Sequence, residues 1–384
     1  MKGVIFMHST TDVFRVLTEI VKTFGIPGEA LSYKCLKGGN INDTYALEML
    51  ENKKNKSYII QRINANVFKM PDKVMENFDS VTRHIYNKLR HKGDKDIIRK
   101  TLKVYHRSDG SSLYIDKNNN YWRVVSCVYN AISLDNPSKE TIKNVGIGFA
   151  KFQRELDDFP IEVLHETIPD FHNTPKRLTA FYEAVQNDLA KRVKTVEREI
   201  QWVKKYEHYS TIFYNLYAQN KIKLRVTHND TKCNNIMLDE KTGEPLAVID
   251  LDTVMPGFAA YDFRDAIRSA AATASEDEID LDKMSMDFSM FKLFTEGYIQ
   301  QLYDVLSKDE IETLPYGPLV MTYELAIRFL TDYLNGDVYF KTFRDNHNLD
   351  RTRAQIKLFE SMKEQLPRML SYVNELSEFY SMHK

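Results

Sequence analysis

The stretch VTHNDTKCNNIMLDEKTGEPLAVIDLDTVMPG, residues 226–257, sets His228, Asp230, Lys232 and Asn235 in the spacing H-x-D-x-K-x-x-N, with Asp250 fifteen residues further on. Phosphoryl transfer asks for these residue types together: a carboxylate to accept or orient the attacking hydroxyl, a cation beside the transferred group, and an amide plus a carboxylate to hold magnesium against phosphates. On that reading Asp230 is the base and Lys232 offsets charge developing on the phosphoryl oxygens. Asn235 and Asp250 are the metal ligands, and His228 is structural, bonding the loop backbone. A lone H-x-D would be no more than a solvated polar turn. The joint pattern, with an acidic residue ending the next strand, points to chemistry.

Such a loop needs rigid ends. RVTH reads as a strand entering it, NIML as a strand leaving it, and GEPLAVID as the partner that returns after the turn DEKTG. Upstream, Thr11 to Phe24 has the periodicity of an amphipathic helix closed by Gly25. YKCLKGGNINDTYALEML and SYIIQRIN predict three strands of an antiparallel sheet, joined by GGNIND and by the polar turn ENKKNK. A helix is expected from about Pro71 to Leu89, then strands around KTLKVYH, SSLYID and YWRVVSCV. From NPSKE onward the chain reads as mostly helical, with long helices over PKRLTAFYEAVQNDLAKRV and TVEREIQWVKKYEHYSTIFYNLYAQN. The last helix carries a core stripe of Ile356, Phe359, Met362, Leu366, Met369 and Val373. The expected architecture is α+β and bilobal: a small mixed-sheet N-terminal lobe over residues 1–130 and a larger, mainly helical C-terminal lobe over 131–384.

Composition narrows the partners. The 384 residues are 43% hydrophobic, and 53 basic against 54 acidic side chains give a formal net charge of -1, so nothing general favours nucleic acid or an anionic membrane. A small molecule is the expected ligand, and no oligomeric state is specified. Cys35, Cys127 and Cys233 have no metal-ligand spacing and read as incidental thiols. The opening apolar run breaks at His8, too short for a signal-peptide core, and no later segment approaches a membrane span. A cytoplasmic protein is expected.

The chain resembles the aminoglycoside phosphotransferase and choline kinase-like group, small-molecule kinases that share the protein-kinase-like fold. Within that group it is similar to the N-acetylhexosamine 1-kinases, through GGNINDTY, YIIQRINANVF, IPDFHNTPKRL, HNDTKCNNIML, IDLDTVMPG, YDFRDAIRSAA, ELAIRFLTDYLNGDVYF and HNLDRTRAQ. The resemblance spans nearly the whole chain. It implies ATP and Mg2+ as cofactors and, as acceptor, the anomeric hydroxyl of a sugar, N-acetylglucosamine or N-acetylgalactosamine. Two alternatives stand beside it: a kinase of the same fold for another acceptor, such as choline, homoserine, an aminoglycoside or another hexose, and a non-catalytic nucleotide-binding module. Intact Asp230, Lys232, Asn235 and Asp250 argue against the second.

On the nucleotide side, GGNINDTY can bring backbone amides to phosphates at Gly38 and Gly39, while Asn40, Asn42, Asp43 and Thr44 add polar reach. It is neither a Walker A loop nor the protein-kinase glycine pattern. SYIIQRIN lacks the third-strand lysine of protein kinases, and alternation puts Gln61 and Arg62 on opposite faces. Gln61 has the position and Arg62 the charge; Glu76 is a candidate partner for Arg62. VSCVYN is expected to offer backbone bonds to a nucleobase. On the acceptor side, Arg328 stands among Ile327, Phe329 and Leu330, where a guanidinium wants a partner or a ligand. Asp332 and Asn335 share its neighbourhood, Tyr339 follows just past the helix end, and a cation here suits an uncharged sugar better than a cationic acceptor. His172 and Thr253 complete the candidates. Asp262, Asp265 and Arg268 are expected to hold the site rigid as a charge network.

Overall fold

The computed structural model describes residues 10–36 and 41–383. The chain divides into two compact units: Met1–Ala131 with the returning segments Glu162–Ile168 and Leu246–Met255, and a second unit of Ile132–Ile161, Pro169–Pro245 and Pro256–Lys384. Two short segments from beyond residue 130 therefore belong with the sheet. One of them carries Asp250.

In the first unit, helix α1 (Thr10–Thr23) precedes strands β1 (Glu29–Cys35), β2 (Asp43–Glu51) and β3 (Lys54–Ile63) and helix α2 (Pro71–His91); β4 (Tyr114–Ile115) and β5 (Tyr121–Ser126) follow. The sheet order is β1-β2-β3-β5-β4. Each of the pairs β1–β2, β2–β3, β3–β5 and β4–β5 is antiparallel, so the sheet expected as mixed is antiparallel. Asn52 and Lys53 both have positive φ, at 49° and 64°, and join β2 to β3 as a two-residue turn whose twist matches the strands. The apolar stripe of α1, Val13, Leu17, Ile20 and Val21, with Phe24 just past its end, packs on Tyr45, Leu47, Met49, Tyr58, Ile60, Trp122 and Val124. Alternate residues of each strand thus fill one face, and the others are sent to the opposite face.

The strands expected at KTLKVYH and SSLYID shrink to an isolated bridge, Val104 with Val125, and to the two residues of β4. Asp116 gives the reason. Its carboxylate accepts from the amides of Asn118 and Asn120 and from the Trp122 indole, a side-chain turn that competes with the ladder.

The second unit is mainly helical, and both long helices expected before residue 220 are broken. Helix Thr174–Asn187 stops at Asp188, in the left-handed region at φ 40°, whose Oδ1 takes the amides of Arg192 and Val193. Glu197–Lys205 gives way to a 3-10 segment, Glu207–Thr211, where Ser210 and Thr211 hydroxyls bond back to the chain before Ile212–Ala218 resumes. Lys139–Glu155 and Phe288–Leu302 pack closely at two glycines. A Cβ on Gly146 would lie 2.4 Å from the Phe294 carbonyl, and one on Gly297 would lie 2.2 Å from that of Lys143. Of the stripe expected on the last helix, His347–Met382, Phe359, Met362, Met369 and Val373 are buried. Among the described residues no helix is long and apolar enough to cross a membrane.

Candidate active site

The motif loop lies in the second unit. Strand Arg225–Thr227 enters it buried, Cys233–Asn235 makes one 3-10 turn, and Ile236–Asp239 leaves it. Asp239 then accepts from the amides of Lys241 and Thr242, which closes the DEKTG turn.

Asp262 fixes the loop from the first turn of helix Ala259–Ala270. Its carboxylate is 0% exposed; Oδ2 accepts from the His228 amide at 2.9 Å and from Gln153 Nε2 at 3.0 Å, and Oδ1 accepts from the Asn229 amide at 2.9 Å. Two consecutive amides are held by one charge, and Asn229 keeps a left-handed backbone at φ 66°. Gly257 permits the close approach, since a Cβ there would meet Thr227 Oγ1 at 2.3 Å. His228 is buried, with its ring centroid 6.0 Å from those of Phe149 and Phe152, and its Nδ1 accepts from the Asp230 amide at 3.3 Å. It shapes the loop.

On this frame Asp230 is partly exposed, with Lys232 Nζ 3.0 Å from its Oδ1. Asn235 Nδ2 donates to the Asp230 carbonyl at 2.8 Å, which leaves the amide oxygen as the end available to a cation. An amide oxygen and a carboxylate are hard oxygen donors of the kind magnesium takes, one or two from a protein, with phosphate oxygens and water completing its shell. Among the described residues no cluster of three or more His, Cys, Asp or Glu side chains is arranged to hold a metal.

Asp250 stands in the first unit, in the left-handed region at φ 60° and ψ 55°, ahead of a 3-10 turn over Leu251–Thr253. Thr253, expected near the acceptor, is buried there. Two residues past Asp250, Asp252 pairs with Arg123 and accepts from Asn42 Nδ2 at 2.5 Å. Asn42 was expected to reach phosphates, but both ends of its amide are used, because Oδ1 accepts from the Asn64 amide at 2.9 Å. Gln61 donates to Thr44 at 3.0 Å and accepts from Arg123 Nε at 2.9 Å, so Thr44, Gln61 and Arg123 form a chain across three strands. Arg62 lies on the opposite face, in an exposed pair with Asp43. Glu76 pairs with Lys73 and His165 instead of Arg62. Gly39 and Asn40 lie outside the described residues.

In the second unit, Arg328 is half-buried with its guanidinium 5.5 Å from the Phe340 ring centre, and it makes no ion pair among the described residues. Asp332 is the organiser of the following loop: its carboxylate accepts from the amides of Val338, Tyr339 and Phe340 and from Asn348 Nδ2. That clamp leaves Tyr339 73% exposed on a well-tied turn. His172, expected at the acceptor, is turned inward. Its Nε2 donates to the Asn229 carbonyl at 2.9 Å and its Nδ1 lies 3.6 Å from Glu324 Oε1. Burial would raise the Glu324 carboxyl, but His172 and the guanidinium groups of Arg264 and Arg328 outweigh it and hold its pKa down to about 2.

Arg123 and Glu324 escape a reading of the sequence, although Arg123 carried a signal. An arginine inside the apolar run YWRVVSCV is the same anomaly that singles out Arg328.

The model of the phosphotransferase enzyme family (APH) matches residues 32–286. Among solved structures, an ethanolamine kinase from Plasmodium vivax is similar at 15% identity and a TM-score of 0.55, over 91% of this chain and 89% of that one. A choline kinase from Cryptosporidium parvum Iowa II is similar at 14% identity and 0.53, over 94% and 99%. A spectinomycin phosphotransferase in complex with ADP and spectinomycin is similar at 15% identity and 0.50, over 94% and 98%. At these identities the likeness is one of fold, that of kinase-like enzymes.

Proposed function

The chain belongs to the phosphotransferase enzyme family, and from that premise we propose that it transfers the γ-phosphoryl group of ATP to the anomeric hydroxyl of an N-acetylhexosamine, releasing ADP and the sugar 1-phosphate. Magnesium, with Asn235 and Asp250 to hold it, would supply charge neutralisation at the nucleotide's phosphates. Asp230 takes the proton of the attacking hydroxyl as the new O–P bond forms and the β–γ bridge breaks. Lys232, 3.0 Å from Asp230, offsets the charge that spreads over the transferred oxygens. Because phosphoryl transfer asks little covalent help, the protein's contribution is position, and the Asp262 grip on two loop amides supports that part of the reading.

One observation carries the choice of acceptor: Arg328, a cation without an ion-pair partner among the described residues, beside a loop that Asp332 ties down and that presents Tyr339. An ammonium acceptor would meet repulsion there. A neutral sugar, rich in hydroxyl oxygens, would find donors.

Substrates blocked at C1 provide the test. N-acetylglucosamine and N-acetylgalactosamine should be turned over, and their methyl glycosides, free at C6, should not. Phosphorus NMR of the product should show coupling to the anomeric proton. A phosphate at C6, or turnover of choline or ethanolamine in preference to the sugars, would sink the sugar 1-kinase reading and leave the phosphotransferase standing.

A further inference from the structure

Strand β3 has no lysine between Ser57 and Asn64, yet the face that carries Gln61 does not lack a cation. Tyr58, Ile60, Trp122 and Val124 turn into the core beneath α1, so alternation sends Gln61 and its cross-strand partner Arg123 to the other face. There Arg123, 0% exposed, donates from Nε to Gln61 and from Nη1 to Asp252 Oδ1, with its guanidinium 4.8 Å from the Phe78 ring centre. Asp252 takes a second bond from Asn42, and its carbonyl accepts from the Thr167 hydroxyl at 3.0 Å.

A charge pair buried this deeply is costly to desolvate and is often no more stable than packed hydrocarbon. Its location gives it a use. Asp252 lies two residues beyond Asp250, whose left-handed backbone is one that a non-glycine residue keeps only when its surroundings over-determine it. The bonds on Asp252 tie down the chain two residues beyond that position, from strand β5, from the end of the β1–β2 connection and from the returning segment Glu162–Ile168.

We propose that Arg123 and Asp252 are a positioning pair: the fifth strand supplies, as an internal ion pair, the cation that the Gln61 face of the third strand lacks, and this pair sets the direction of the Asp250 carboxylate. Neither residue touches reacting atoms. The proposal rests on reading Asp250 as the group that faces magnesium.

The test uses the full chain with ADP as probe, by calorimetry with and without magnesium, and hydrogen exchange of the 249–253 amides in the ligand-free protein as a second readout. Arg123→Met combined with Asp252→Leu exchanges the pair for apolar groups and strands no buried charge. In this double variant the magnesium-dependent part of the ADP affinity should fall about 10- to 100-fold, as for other groups that orient a metal ligand. Exchange at 249–253 should quicken. Unchanged magnesium dependence together with unchanged exchange would overturn the proposal. Should the double variant fail to fold, Asp252→Asn, which keeps the shape and removes the ion pair, takes its place with the same expectations. Asp250→Ala, run in parallel, separates the two readings. If it keeps magnesium-dependent ADP binding, the reading of Asp250 fails; if it loses that binding while the pair variants do not, the positioning pair alone fails.

Discussion

Asp262 in the second unit and Asp252 in the first are both nearly closed to solvent, at 0% and 2% exposed, and each stands behind a segment that bears a candidate catalytic group. Their grips differ in kind. Asp262 bonds the main chain at residues 228 and 229 and so does not depend on which side chains stand there. Asp252 bonds side chains, Arg123 and Asn42, and so depends on both. A carboxylate on backbone amides leaves orphaned donors when it is lost, whereas a buried ion pair leaves an uncompensated charge when either partner is lost. The loop of Asp230 is therefore the more tolerant of neighbouring substitution, and the segment of Asp250 the more exacting.

Arg123→Met should break the comparison most severely. By itself it strands the Asp252 carboxylate, at about 3–5 kcal/mol of unfolding free energy, read from the shift of a denaturant midpoint. A loss below about 1 kcal/mol would mean that water reaches Asp252 and that the pair is not internal. Asp262→Asn should cost less, roughly 1–3 kcal/mol, because one carbonyl oxygen remains to accept while the new NH2 group faces an amide donor. If the two variants lose the same amount, the two grips are energetically alike.

Gln61 and Arg62 sharpen the picture at smaller scale. Gln61→Ala removes the acceptor from Arg123 Nε and should cost about 1 kcal/mol, with a raised Michaelis constant for ATP. Arg62→Ala breaks only an exposed cross-strand pair and should move stability by less than about 0.5 kcal/mol, with ATP kinetics unchanged. Steady-state kinetics on both variants decide it. Equal effects would place Arg62 in the machinery after all.

A surface charge cluster, away from both aspartates, serves as the control. Hydrogen bonds from Arg344, against a smaller opposing effect of burial, hold the Asp277 pKa down to about 2, with His347 adding to the pull. A carboxyl lowered in the folded state stabilises above its ordinary pKa near 4 and loses that contribution as pH falls toward 2. Asp277 is over a third exposed, so Asp277→Asn should cost less than about 1 kcal/mol at neutral pH. The gap in melting temperature between wild type and variant should close between about pH 4 and pH 2.

How much of this was legible in the sequence depended on how far apart the partners lie. Asp230, Lys232 and Asn235 fall within six residues, and their spacing, joined to Asp250 at the end of the next strand, is what raises the expectation of phosphoryl transfer. The α1 stripe and the three strands around residues 29–63 followed from periodicity of 3.6 and 2. The Arg123–Asp252 pair joins residues 129 apart, and only the register Gln61↔Arg123 and the return of 246–255 to the sheet unit bring them together. The broken helices before residue 220 were hidden for a different reason. Asp188 and the Ser210 and Thr211 hydroxyls bond locally to the backbone, and that competition is weak in any propensity sum.

The proposed reaction assigns the acceptor's proton to Asp230 and the metal and nucleotide to Asn235 and Asp250. Turnover and ADP binding of Asp230→Asn, measured on the same preparation, separate these roles. Turnover should fall roughly 100- to 10,000-fold with magnesium-dependent ADP affinity unchanged, since the substitution removes a proton acceptor and no phosphate contact. A variant that keeps most of its turnover would contradict the assignment of Asp230.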